Sequence, residues 1–197
     1  LPGVSSEQTD PIGLRLIPTA DMHFDDVRVP AGAVLGNVGR GIDTFLSTFN
    51  VSRLGNASEL IGFARRALAQ GIDYAERREV GDHTVTSFQG IQWTIADCYA
   101  DVYAAALARN RAATLVDQEQ EHALATSLAK QLAITAAERA TGEVFAMIGG
   151  YGLYTDTDFA QLINDTKVMR VAGGSLEVLR NYVARRIIGS PDRAGLA

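Results

Sequence analysis

Between His122 and Ile148 the chain carries leucines at 124, 128 and 132 on one stripe, with alanines at 129, 133, 136 and 140 beside it. Spacings of three and four predict a helix, and a run of small side chains predicts that a neighbouring helix approaches it closely. Phe45, Phe49, Leu60, Ala64, Leu68 and Ile72 repeat the rhythm over a helix expected from about Gly41 to about Arg77. Gly55, Gly62 and Gly71 lower its propensity or mark close packing. Ile91, Ile95, Cys98, Val102 and Ala106 predict another helix, and two shorter ones are expected near Phe159–Val168 and from Ser175 to about Ile188. Long helices with short or moderate connections imply a mainly α fold, an antiparallel four-helix bundle once the last helix packs in.

Residues 13–34 have another texture. Alternating apolar and polar residues, punctuated by Pro18 and Pro30, predict strands at Leu14–Ile17 and His23–Val29, followed by a glycine-rich loop. A lone strand pair is not stable in water, so these strands are expected to complete a sheet begun by preceding sequence. The chain therefore reads as part of a longer polypeptide, with residues 1–38 ending a strand domain and residues 39–197 forming the helical unit.

A net charge of −5 argues against nucleic acid or an anionic membrane surface as partner. No run of eighteen apolar residues predicts a membrane span. One cysteine, Cys98, allows no internal disulfide and fits a reducing, cytoplasmic setting. His23, His83 and His122 lack metal-ligand spacing, so no metal site is expected.

Gly173-Gly174-Ser175, at the mouth of the last helix, has two readings. It is a tight turn with Ser175 as N-cap, or a place where a ligand approaches free backbone N–H groups. "IGGYG" at 148–152 is likewise a helix stop or a cofactor-facing loop. Arg77 and Arg78 complement the dipole at a helix end, or one of them anchors a phosphate. Arg53, beside Phe49 and Leu54, is either half-buried against a partner or reaching a ligand.

Five segments in order carry a family resemblance: "HFDDVRVPAGAVLGNVGRG", "FNVSR", "YAERR…FQG", "IGGYGLYTDTDFAQLINDTKV" and "GGSLEVLRNYVAR". Together they resemble the C-terminal half of the acyl-CoA dehydrogenases. The resemblance implies the last strands of a middle β-barrel followed by the helical bundle. It also implies FAD as cofactor, an acyl-CoA substrate oxidised to the trans-2-enoyl thioester, electron-transfer flavoprotein as electron acceptor, and homo- or hetero-oligomers formed through the bundle. By the same resemblance Arg78, counted from Tyr74, matches the flavin-binding arginine, whereas counting from Gly81 selects Arg77. Gln89, Gly149, Gly150, Ser175 and Glu177 match flavin contacts, and Asn50 and Arg53 fall on substrate-lining positions.

The departures matter as much. Ala146 stands where a flavin-contacting glutamine is usual, and Ala172 where a tyrosine is. Gly173 occupies the position of the catalytic glutamate, and Ser52 the position where a minority of the family places that base. A serine hydroxyl of ordinary pKa does not replace a carboxylate as base. The expectation is a subunit paired with a paralogue that supplies the base, as in heteromeric sterol-degrading members. A self-sufficient enzyme with its base relocated to the preceding N-terminal half or to a nearby acid such as Glu177, and a non-catalytic acyl-CoA-binding or assembly subunit, are the alternatives.

Overall fold

The computed structural model describes residues 1–154 and 157–189. Thr155 and Asp156 of the glycine-rich segment, and residues 190–197 of the expected helical unit, lie outside the described residues. Most of the rest is helix: α1 (Gly41–Arg77), α2 (Gln89–Asp117), α3 (Ala123–Ile148), α4 (Asp158–Val171) and α5 (Leu176–Ile188). The periodicity therefore located all five, with α4 extending three residues past its expected end.

Helix α3 packs against each of the other four. The alanines make this possible: Ala129, Ala133, Ala136, Ala137 and Ala140 are all buried, whereas Leu132 is 40% exposed. The core face of α3 is thus the small stripe, and the leucine stripe lies at its margin. Close approach explains the choice. A Cβ at Gly71 of α1 would stand 2.6 Å from Val144 Cγ1, so the α1–α3 crossing admits no side chain there. Gly55 and Gly62 meet nothing within 4 Å and have no such role. Cys98 is buried in the same core, and burial pushes its thiol up to about 11, which keeps it protonated and unreactive.

The strands differ from expectation. β1 (Val4–Gln8) pairs antiparallel with β2 (Ala20–Phe24), while Leu14–Ile17 is a turn closed by the Ile17 N–H donating to the Leu14 carbonyl at 2.8 Å. Leu14 has φ +52°, and Asp26 has φ +45°, which ends the second strand before Val29. Two left-handed residues interrupt extended runs that the alternation alone cannot distinguish from strands. A small hairpin, β3 (Glu79–Val80) with β4 (His83–Thr84), turns at Gly81 between α1 and α2.

The turn at Leu14 is tied to the helices. Its N–H donates to Asp165 Oδ1 at 2.7 Å, and Asp165 is buried in α4. Replacing Asp165 with alanine is expected to leave helical content unchanged while amide exchange at Leu14–Ile17 accelerates about tenfold or more, measured by hydrogen exchange with mass spectrometry. Among the described residues no helix is long and apolar enough to cross a membrane, and no cluster of His, Cys, Asp and Glu is disposed to hold a metal ion.

Candidate functional site

Helix α4 ends at Val171, and Ala172 leads into two residues of positive φ, Gly173 at +70° and Gly174 at +96°. This left-handed pair reverses the chain so that α5 can begin. Ser175 is its N-cap, accepting a hydrogen bond from the Val178 N–H at 3.4 Å. The capping reading therefore holds, and it leaves open what the glycines face.

They face two polar side chains and an aromatic ring. Lys130 of α3 is fully buried and donates through Nζ to the carbonyls of Ala172 and Gly174, the latter at 2.8 Å. Asn56 of α1 donates to the same Ala172 carbonyl at 3.4 Å. A Cβ on Gly173 would meet Asn56 Nδ2 at 1.8 Å and Lys130 Nζ at 3.1 Å. Burial, and secondarily the charge of Arg53, holds the Lys130 ammonium down at about 8. A Cβ on Gly174 would touch Phe49 Cε1 at 3.7 Å and Arg53 Nη2 at 3.9 Å.

Arg53 is only 6% exposed. Its Nη1 donates to Asn50 Oδ1 at 2.8 Å and Ser127 Oγ at 2.9 Å, and its guanidinium lies 5.4 Å from the Phe49 ring centroid. Burial lowers its pKa. Asn50, Arg53, Gly173, Gly174 and Ser175 thus converge on one hinge. Lys130, Asn56 and Ser127 join them without having been singled out from the sequence. The available signal was Lys130 itself, the one charge in the first half of α3 and next to Ala129 of the small-residue stripe.

Beside the hinge an apolar cleft of about 410 Å³ runs along the first turns of α1, lined by Leu35, Phe45, Thr48, Phe49 and Ser52. Ser52 Oγ donates back to the Phe49 carbonyl at 2.9 Å, an ordinary helix contact that does nothing to make it basic. Glu177, in the first turn of α5, is paired with Arg170, which also holds Glu138 at 2.6 Å. Its own backbone N–H and Arg170 keep the Glu177 carboxyl below its usual range.

The remaining candidates lie elsewhere. Gly149 ends α3 with φ +59° and ψ −139°, and Gly149–Leu153 forms a 3₁₀ turn. Tyr151 from that turn stacks on Tyr74 of α1 at 5.3 Å. A second cleft of about 430 Å³ opens there, lined by Gln70, Asp73, Tyr74, Arg77, Tyr151 and Asp158 among others. Arg77 is the arginine on this cleft, its Nε donating to the Asp73 carbonyl at 2.9 Å, while Arg78 is the C-cap of α1. Gln70 Oε1 is buried there without a partner, and Gly149 and Gly150 leave open space where a Cβ would stand. Tyr151 thus brings the glycine turn to a cleft that holds a guanidinium, a stacked tyrosine pair and an unsatisfied amide oxygen. Gln89 opens α2, exposed, and Ala146 is exposed in the last turn of α3.

Residues 39–188 match the family described as acyl-CoA dehydrogenase, C-terminal domain. The 3-sulfinopropanoyl-CoA desulfinase of Paraburkholderia xenovorans is 30% identical over 192 residues, which cover 96% of this chain and 49% of that protein. The human mitochondrial short-chain specific acyl-CoA dehydrogenase is 30% identical over 190 residues, covering 96% and 46%. Among solved structures, butyryl-CoA dehydrogenase from Megasphaera elsdenii superposes with a TM-score of 0.92 at 28% identity, over 95% of this chain and 49% of that one. The chain spans about half the length of the curated relatives it matches.

Proposed function

The chain belongs to the acyl-CoA dehydrogenase family, and from that membership we propose that it serves as a subunit of an FAD-dependent α,β-dehydrogenase of acyl-CoA thioesters whose proton-abstracting carboxylate comes from a paralogous subunit. The observation that carries this reading is the hinge. By the family resemblance Gly173 falls at the base position and Ser52 at the alternative one; a Cβ at 173 would need a positive φ and would displace Asn56, and Glu177 is engaged by Arg170. A reaction that begins by removing an α-proton needs a carboxylate these residues do not supply.

The rest of the machinery is suited to binding and orientation. The apolar cleft along Leu35, Phe45 and Phe49 accommodates an acyl chain, and the Gly173 N–H offers a donor to a thioester carbonyl. Residues suited to hold FAD are Arg77 at the second cleft, Gly149 and Gly150 in the turn that carries Tyr151, Gln89 at the start of α2, and Ser175 and Glu177 at the start of α5. Arg77 is preferred to Arg78 because it lines that cleft. When bound, FAD supplies the two-electron acceptor for a hydride from the β-carbon. Residues 1–38 would then close the middle strand domain and residues 39–197 would complete the helical bundle. Tyr99, Tyr103 and Leu107, exposed at four-residue intervals on α2, suit the oligomer contact, and electron-transfer flavoprotein suits the role of electron acceptor.

The test is flavin bleaching under anaerobic conditions. The full-length protein, purified alone and with its paralogous partner, is mixed with a series of saturated acyl-CoA thioesters. Bleaching is expected only when the partner is present. A homo-oligomer that binds FAD and is reduced by acyl-CoA on its own overturns the reading.

The vacant base position favours one second reading. A reaction that breaks a bond other than Cα–H dispenses with the carboxylate, and the name of the Paraburkholderia relative specifies removal of a sulfinate group. There the C–S bond breaks, the β-carbon takes a proton from water, and the sulfinate leaves with the water oxygen as sulfite. Sulfite released from 3-sulfinopropanoyl-CoA by the chain without any partner would select it.

A further inference from the structure

Lys130 is fully buried, yet both of its bonds end on the hinge backbone, at the Ala172 and Gly174 carbonyls that flank Gly173. Asn56 donates to the Ala172 carbonyl from α1 at 3.4 Å, so that one oxygen receives two donors, one of them a cation. The only charge that bears on Lys130 among the described residues is the Arg53 guanidinium, and no carboxylate neutralises it. Nearby acids are engaged elsewhere: Glu138 and Glu177 with Arg170, and Asp165 with the Leu14 N–H. Burying a cation without a counter-ion is costly, so a lysine at this place in α3 calls for more than packing.

A peptide unit is planar and trans, so its carbonyl and its N–H point in opposite directions. The Ala172 carbonyl and the Gly173 N–H belong to one such unit. With the carbonyl drawn inward to Lys130, the Gly173 N–H points away from the ammonium, and it meets no acceptor among the described residues. Gly173 is half-buried, so its backbone reaches the molecular surface where Lys130 does not. Hydrogen bonds in a chain polarise one another, and a charged donor does so more strongly than a neutral one. Donation by Lys130 and Asn56 to the oxygen of this amide makes its N–H a stronger donor. The second Lys130 bond, to the Gly174 carbonyl at 2.8 Å, holds the far side of Gly173, so the N–H is fixed in direction before any ligand arrives.

We propose that Lys130 and Asn56 are positioning residues for the Gly173 N–H, aiming it and strengthening it for a ligand oxygen on which negative charge develops. That oxygen is the thioester carbonyl of an acyl-CoA, which takes up charge as the α-carbon loses its proton. Neither side chain needs access to the ligand, because both act from the carbonyl side of the peptide. The same arrangement accounts for the glycine: a Cβ at 173 would stand 1.8 Å from Asn56 Nδ2 and 3.1 Å from Lys130 Nζ, so a side chain there would displace a donor. This rests on the reading that the hinge receives the thioester carbonyl. It goes beyond that reading in naming the residues that set the strength of the donor.

Acetoacetyl-CoA tests it. Its enolate carries charge on the thioester oxygen and its proton passes to solvent, so the measurement needs no base from this chain or from a partner. The full-length, FAD-loaded protein is saturated with the ligand at pH 7, below the value of about 8 at which Lys130 loses its proton. The ratio of enolate to keto form is read from the ultraviolet absorbance of the bound ligand. The wild type is expected to raise that ratio about tenfold or more over the free ligand. Lys130→Met should lower the bound ratio about tenfold, and Asn56→Ala, which removes a neutral donor from the same carbonyl, about twofold. A merely structural role would weaken binding of both forms alike and leave the ratio where it was. An unchanged ratio in Lys130→Met overturns the proposal, and so does a wild type that does not enrich the enolate. If Lys130→Met fails to fold, Asn56→Ala decides, and an unchanged ratio there overturns it. If acetoacetyl-CoA does not bind the wild type, the acyl-CoA reading of the hinge fails, and this inference falls with it.

Discussion

Replacing Gly173 with glutamate, the change that on the proposed reading would put a carboxylate at the base position, is expected to destabilise the protein and to confer no proton-abstracting activity. Gly173 has φ +70°, where a Cβ costs roughly 1–2 kcal/mol. That Cβ would also overlap Asn56 Nδ2 at 1.8 Å, so Asn56 must swing away and surrender its bond to the Ala172 carbonyl. Together the two effects amount to about 2–3 kcal/mol, a loss of several degrees in melting temperature. Gly173→Ala should show nearly the whole loss, because the penalty begins at Cβ. Gly173→Glu combined with Asn56→Ala should be about as unstable as Gly173→Glu alone, because Asn56→Ala gives up the same bond to the Ala172 carbonyl. Thermal unfolding of the three variants, with flavin bleaching by acyl-CoA as the activity readout, checks the account. A stable single variant that bleaches on its own would show that the turn adapts.

Substituting Lys130 with methionine should produce a deficit that grows with pH. In the folded protein Lys130 is held at about 8, against about 10.4 for an unfolded lysine. Below pH 8 both states carry the proton and the cost of burying the charge is fully present. Between about 8 and 10.4 the unfolded state binds more protons than the native one, so wild-type stability rises with pH from this group. The neutral amine still has two hydrogens for the Ala172 and Gly174 carbonyls, so the hinge keeps its bonds as the charge is lost. Methionine removes both the charge and the donors, leaving the Gly174 carbonyl bare and that of Ala172 with Asn56 alone. Near pH 7 these effects partly offset, and the deficit should be about 1–2 kcal/mol. From pH 8 to 10 it should widen by up to about 1.4 kcal/mol per unit. Urea unfolding of wild type and Lys130→Met at pH 7 and pH 9.5 measures the difference; parallel shifts at both values would contradict it.

These two residues also mark the limit of what the chain disclosed before its structure was known. Helix α1 was legible nearly to the residue, because its apolar face repeats over ten turns and closes on a pair of arginines. Ser175 was legible as a cap because capping is local chemistry. The strands were not, because positive φ at Leu14 and Asp26 leaves no trace in an alternating pattern. The burial of α3 was half legible: periodicity found the helix, but hydrophobicity favoured the leucine side over the alanine side that faces the core. Lys130 was missed because a lysine on a helix ordinarily points to water, and the carbonyls that hold it lie 42 and 44 residues further on. Gly173 was recognised by its place in a motif. Its left-handed conformation, and the amide of Asn56 filling the adjacent space, are tertiary facts.

Asn56 therefore bears on descent as well as on packing. On the proposed reading, a lineage that carries glycine at 173 and asparagine at 56 does not return to a self-sufficient active site by a single substitution without strain. The intermediate with glutamate alone is strained, and the intermediate with Asn56 shortened alone gains nothing. On that reading the chain keeps its helices, its clefts and its buried cations under selection while another gene supplies the proton acceptor or another substrate removes the need for one.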